Sequence, residues 1–153
     1  MDLESDLSDV CCDQDKINQV LTNLLSNAIK FTPEHGKIGV FIKEAPNSGG
    51  KKSDRMVEIK VSDNGVGIPA EELDEIFQKF KQVSDTVADV RKGTGLGLPI
   101  CKEIVSHYEG KIWAESELGK GSVFTVTIPI EKSAVAADSP PDDESGPSPA
   151  ASV

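Results

Sequence analysis

Between Ile17 and Phe31 the apolar residues recur at helical spacing while two asparagines and a lysine share one edge of the same helix. At about 100° per residue, Ile17, Val20, Leu21, Leu24, Leu25 and Ala28 fall on one broad arc, the face such a helix buries. Asn18, Thr22 and Ser26 lie opposite, on the solvated side. Gln19, Asn23, Asn27 and Lys30 occupy a third arc, where a polar side chain is neither buried nor free in water. One asparagine there would merely solvate a margin. Two in register, with a lysine following and Phe31 directly after it, describe the edge of a cleft. A neutral amide oxygen suits a hard cation such as Mg²⁺ that also takes phosphate oxygens, and Lys30 adds a point charge for phosphate. Asp13 or Asp15 is positioned to cap the helix start.

Val57, Ile59 and Val61 alternate with Glu58, Lys60 and Ser62, a strand pattern that ends on Asp63. An ionised carboxylate only accepts hydrogen bonds, which suits an exocyclic amine such as that of adenine. Gly65 and Gly67 let the backbone turn sharply and approach a flat ring. The same letters, Asp-Asn-Gly, also spell an ordinary turn, and taken alone they are better explained so. Strands are expected near Ile38 to Lys43, with Glu44 to Asp54 as a long hairpin connection. Two more are expected at Lys111 to Ser116 and at Val123 to Ile130. Trp113 reads as a core or edge packer and is given no functional role.

Gly93, Gly95 and Gly97 precede Leu98, Pro99, Ile100, Ile104 and Val105, an apolar helical pattern with proline where an early turn tolerates it. N–H groups at such a helix start bind phosphate. The spacing is neither the Gly-x-Gly-x-x-Gly of a dinucleotide fold nor, at Gly119-Lys120-Gly121-Ser122, that of a Walker loop. Amide row, carboxylate with glycines, and glycine-opened helix, in that order, describe a site for ATP and its metal.

These residues resemble the motifs of the sensor histidine kinases. Asn23-Leu24-Leu25-Ser26-Asn27-Ala28-Ile29-Lys30-Phe31-Thr32 is similar to their N box and Asp63 to Gly67 to their G1 box. Phe77-Gln78-Lys79-Phe80 is similar to their F box, Gly93 to Leu98 to their G2 box, and Gly119 to Ser122 to the final glycine motif. The resemblance runs from about Asp13 to about Ile130. It implies the Bergerat-type fold of the gyrase, heat-shock chaperone, histidine kinase and mismatch-repair ATPase superfamily, an α/β sandwich of one mixed sheet layered with helices. Position by position, it implies that Asn27 holds Mg²⁺, that Asn23 and Lys30 meet phosphates, and that Phe31 lines the nucleotide pocket. Asp63 would read adenine, with Gly65, Gly67 and Ile68 around it. The segment from about Lys81 to Thr94 would be a lid, so that Phe80, Lys81, Arg91, Lys92, Gly93 and Thr94 join Gly95, Leu96, Gly97, Leu98 and Ser122 among the nucleotide-binding residues. Asn23, Asn27 and Lys30 would carry the catalytic role.

Two positions depart from the family pattern. Gln82 stands where relatives often have arginine, leaving Lys81, Arg91 or Lys92 as substitutes for a phosphate contact. Tyr108-Glu109-Gly110 replaces a His-Gly-Gly helix end and leaves Gly110 as the helix stop.

The implied activity is phosphoryl transfer from ATP·Mg²⁺ to a histidine on a separate dimerisation domain, with a response regulator downstream. His35, in a turn, and His107, at a helix end, are expected to be structural or solvated rather than acceptors. A hydrolase of the same superfamily would carry a glutamate where this chain has Asn23; that reading, a related serine kinase, and a nucleotide-sensing docking module that transfers nothing remain the alternatives. A net charge of −10 disfavours nucleic acid. Three cysteines without Cys-x-x-Cys spacing suggest a reducing, cytoplasmic compartment and no metal cluster. No run is long enough to span a membrane, so no membrane contact is expected of this segment. One domain is expected over residues 1–132. From Ser133 onward four acidic residues, four prolines and no bases predict a disordered tail over 133–153.

Overall fold

The computed structural model describes residues 2–3, 12–46, 55–81 and 95–130. A short strand β1 (Asp2–Leu3) precedes helix α1 (Gln14–Phe31), the hairpin β2 (Ile38–Pro46) and β3 (Arg55–Asp63), and a 3-10 turn (Ala70–Glu72). Helix α2 (Gly97–His107) and the hairpin β4 (Lys111–Glu117) and β5 (Gly121–Ile130) follow. The expected tail at 133–153 and most of the expected lid lie outside the described residues.

One sheet in the order β1-β2-β3-β5-β4 carries the fold. β1 pairs parallel with β2 and every other pairing is antiparallel, so the sheet is mixed. Both helices lie against the same face. Val57, Ile59 and Val61 of β3 and Phe124, Val126 and Ile128 of β5 point there and meet Val20, Leu24, Ala28, Cys101 and Val105 in a single core. The arc assigned to the buried side of α1 is the one that is buried, with Ile17, Leu21 and Leu25 packed at its margin.

The ends of α1 and α2 show how local chemistry sets these elements. The Asp13 carboxylate accepts the N–H groups of Asp15 and Lys16 at 2.8 and 3.3 Å, capping α1 as expected. The far end of α2 corrects the expectation for Gly110. The left-handed residue after the helix is Glu109, at φ 54°. Its N–H donates to Ser106 O and that of Gly110 to Val105 O, the paired arrangement of a Schellman stop. Gly110 is required for a different reason: a Cβ there would lie 2.2 Å from Thr127 O on β5. The glycine lets the chain pass against the sheet, while a glutamate accepts the strained backbone angle.

On the other face of the sheet Phe41, Lys60, Thr125 and Trp113 form one cross-strand row. Trp113 is 37% exposed on the edge strand β4, in keeping with its reading as an edge packer.

Candidate functional site

The site forms where β3 ends, α1 ends and α2 begins. Asp63 is the last residue of β3 and stands opposite Ser122, the second residue of β5. Its carboxylate accepts the Gly65 N–H at 2.8 Å and the Ser122 backbone N–H. Burial pushes its pKa above the ordinary 3.8, although both N–H bonds pull the other way. A partly desolvated carboxylate held by two backbone donors is a pre-aimed acceptor, and it keeps lone pairs for a ligand.

The loop after Asp63 is bolted to its surroundings. Val66 N–H donates to Phe31 O at 3.2 Å, and a Cβ on Gly65 would lie 2.4 Å from the same oxygen. This brings the carboxylate's loop directly onto the last residue of α1. Gly67 adopts φ 72°, and a Cβ there would meet Glu117 O at 2.2 Å. Asn64, which the sequence reading passed over, accepts Lys37 N–H at 2.6 Å and so ties the loop to the turn after α1. Ile68 packs against the core, and its N–H donates to Ser116 Oγ at 2.8 Å.

Across the cleft, Asn23 donates from Nδ2 to Gly97 O at 3.4 Å, linking the amide row of α1 to the first residue of α2. Behind it, the Cys101 thiol contacts Val20 O at 3.8 Å and is hydrogen-bonded to the Asn23 side chain. Burial pushes that thiol to about 11, so it stays neutral and holds the amide from behind. Asn27 and Lys30 are half-buried on the same arc, and the Lys30 ammonium lies 5.0 Å from the Phe31 ring centroid. Leu96 occupies the N-cap position of α2, and its own side chain makes no cap hydrogen bond. N–H groups at a helix start are donors that suit an anion such as phosphate. Gly95 turns with φ 68° and accepts Phe80 N–H at 3.1 Å, and Leu98 packs on the core.

Phe80 is 74% exposed and held at φ 64°. Lys81 is paired with Glu75 at 2.5 Å, which raises the lysine's pKa. Glu75 is thus a second residue the sequence reading missed. Arg91, Lys92, Gly93 and Thr94 lie outside the described residues. His35 sits exposed in the turn after α1 at φ 66°, and His107 is exposed at the end of α2, edge-on to Tyr108.

Among the described residues no group of three or more His, Cys, Asp or Glu side chains can hold a metal ion. A divalent cation held at Asn27 would draw on phosphate oxygens as well as the amide. A half-buried amide on the cleft edge, beside a helix start that favours phosphate, is a donor set that fits such a shared cation.

A mixed sheet layered with two helices on one face, with a carboxylate closing a central strand and a glycine at the first position of the second helix, defines an ATP-binding domain of one particular architecture. Residues 12–132 match the family described as histidine kinase-, DNA gyrase B-, and HSP90-like ATPase, and the chain belongs to it. Its curated relatives narrow the class to the sensor histidine kinases. The chain is 40% identical over 120 residues to the sensor histidine kinase WalK of Bacillus subtilis, covering 78% of this chain and 19% of that protein. It is 39% identical over 129 residues to the adaptive-response sensory kinase SasA of Synechococcus elongatus, covering 84% of this chain and 31% of that protein. The chain thus spans only about a fifth to a third of the length of these relatives. Among solved structures, it matches the catalytic domain of histidine kinase ThkA with a TM-score of 0.61 and 37% identity, over 78% of this chain and 70% of that one. It also matches full-length ShkA in complex with AMPPNP, with a TM-score of 0.61 and 30% identity, over 80% of this chain and 23% of that one. The fold is that of a histidine kinase catalytic domain, as expected from the motif order.

Proposed function

We propose that the chain holds ATP·Mg²⁺ so that its terminal phosphoryl group can pass to a histidine of a separate dimerisation domain, from which a response regulator is served. One observation supports the reading: the loop after the Asp63 carboxylate is hydrogen-bonded to the last residue of α1, and Asn23 of the same helix to the first residue of α2. In this reading Asp63 accepts the adenine amine, with Gly65, Gly67 and Ile68 shaping the base pocket and Phe31 lining it. Asn23, Lys30 and the N–H groups at Gly95 to Leu98 hold phosphates. Asn27 contributes an amide oxygen to Mg²⁺, which offsets the negative charge of the triphosphate. Lys81, Arg91 and Lys92 add charge from the lid side. The chain positions and neutralises, as phosphoryl transfer demands; the nucleophile comes from the partner domain. Residues 1–132 form the working unit, 133–153 a tail, and the setting is the cytoplasm.

Asn23 favours this over hydrolysis, because an amide cannot take a proton from water as a carboxylate can. The experiment is incubation with γ-labelled ATP and Mg²⁺. The chain alone is expected to bind nucleotide, to release phosphate slowly and to acquire no label on His35 or His107, whereas a two-helix histidine domain added in trans acquires label. Stable self-labelling, or turnover at the rate of a dedicated ATPase, overturns the proposal.

A further inference from the structure

Asp63, Ser122 and Ser116 stand in one register row across β3, β5 and β4, at the end of the sheet where the cleft opens. The Ser116 hydroxyl has three partners: Ile68 N at 2.8 Å, Gly121 O at 2.7 Å and Ser122 Oγ at 3.0 Å. A serine hydroxyl has one proton and two lone pairs, so the three contacts can be assigned directions. Gly121 O can only accept, and takes the Ser116 proton. Ile68 N–H can only donate, and occupies one lone pair. The remaining lone pair faces Ser122 Oγ, which must therefore be the donor. Ser122 then has no hydroxyl proton to offer on the side of Asp63, to which it already gives its backbone N–H.

We propose that Ser116 is a positioning residue for base selection, acting through the proton of Ser122. Resting on the reading of Asp63 as the adenine contact, this means that the row offers only acceptors to the group at position 6 of the base. A base with an exocyclic amine finds partners there. A base with a carbonyl at the same position sets lone pairs against lone pairs, and a buried polar site rejects such a mismatch far more strongly than an apolar one. Without Ser116 the Ser122 hydroxyl is released and can turn toward the carboxylate opposite it. It then occupies one of the carboxylate's lone pairs, weakens it as an acceptor and offers a 6-oxo base an oxygen free to reorient as donor. Ser116 also anchors Ile68 N–H, so the same hydroxyl sets the floor of the pocket and the polarity of its edge.

The test compares ATP with inosine triphosphate, which carries a carbonyl in place of the amine and N1–H in place of N1. Dissociation constants of both are measured for the wild-type chain, Ser116→Ala and Ser116→Thr, with melting temperature recorded for each. The wild type is expected to prefer ATP, Ser116→Ala to lose roughly fivefold of that preference, on the scale of one hydrogen bond, and Ser116→Thr to keep it within about twofold. A purely structural role would weaken both nucleotides alike and leave their ratio unchanged, and that result overturns the proposal. If Ser116→Ala does not fold, Ser116→Cys carries the same comparison, since a thiol keeps an atom in place but bonds weakly. A wild type that binds both nucleotides equally overturns the reading of Asp63 itself and this inference with it. A wild type that prefers ATP with an unchanged ratio in the variants overturns the inference alone.

Discussion

At the base end of the cleft Asp63 closes a nine-residue strand, takes N–H groups from Gly65 and Ser122, and is followed by a loop whose glycines touch the backbones of α1 and β4. At the phosphate end Phe80 is exposed, Lys81 is held by Glu75 rather than turned to a ligand, and the next residues lie outside the described part of the chain. On the proposed reading, the contrast follows from what each end recognises. A flat base is distinguished by the direction of a few hydrogen bonds, which requires groups fixed in advance. A triphosphate is recognised mainly by charge, which acts over distance and tolerates side chains recruited on binding.

The largest expected effect tests how rigid the base end is. Gly121 has φ 112°, and a Cβ there would lie 2.0 Å from Asp63 O. Gly121→Ala should lower stability by about 3 kcal/mol or more, since backbone must move as well as strain. Gly119→Ala, at φ 81° with nothing within 4 Å of the added atom, should cost only about 1 kcal/mol. Chemical denaturation of the two variants measures both; equal losses would show that the loop is looser than its contacts imply.

Next in size is the separation of the two ends by ligand. Asp63→Ala should weaken ATP and ADP alike by about 1.5 to 3 kcal/mol, with or without Mg²⁺. Asn27→Ala should remove the benefit of Mg²⁺ and leave metal-free binding largely intact. Calorimetric titration of both variants, plus and minus the cation, tests the division. An Asn27→Ala chain with full Mg²⁺ dependence removes that residue from the metal.

A pH series sharpens the comparison further. Because burial raises the Asp63 pKa, the folded chain keeps this proton to higher pH than the unfolded chain. The stability this adds is complete below the ordinary 3.8 and is lost as pH rises through the folded value. Asp63→Asn stays neutral and avoids that loss. Its melting temperature relative to the wild type should therefore climb as pH rises from below the ordinary 3.8; a constant difference would mean that burial is not what perturbs the group.

The smallest effect belongs to the phosphate end. Glu75→Gln frees Lys81 and removes one competing negative charge, so ATP should bind about twofold tighter at low salt. The gain should fade as ionic strength rises. Weaker binding would mean that Glu75 holds Lys81 where the ligand needs it.

What could be read from the chain beforehand follows the same division. The angular arcs of α1 put Val20, Leu24 and Ala28 inside and Asn23 and Asn27 at the half-buried margin, because helical period is a local property. The position of Asp63 at a strand end was equally local. Ser116 could not be recognised, since its role depends on the register of β4 against β5 and of both against β3, which no short segment encodes. Glu75 was missed because its pairing with Lys81 depends on a turn of irregular backbone. The family pattern points to Gly110 as the helix stop, while the backbone gives that angle to Glu109.

The position of β5 has a consequence for how the domain comes into being. The strand latest in sequence is not at the sheet's margin but between β3 and β4, paired with β3 from Arg55↔Ile130 to Asp63↔Ser122. As the polypeptide emerges from the ribosome, α1, β2 and β3 are made first and wait with one long edge of β3 unpaired, the kind of edge that invites wrong partners. Closing the sheet joins residues far apart in the chain, a slow step for any fold. The same step delivers the Ser122 N–H to Asp63, so on the proposed reading of Asp63 the base contact is assembled only when β5 docks. On that reading nucleotide capture is a readout of finished folding.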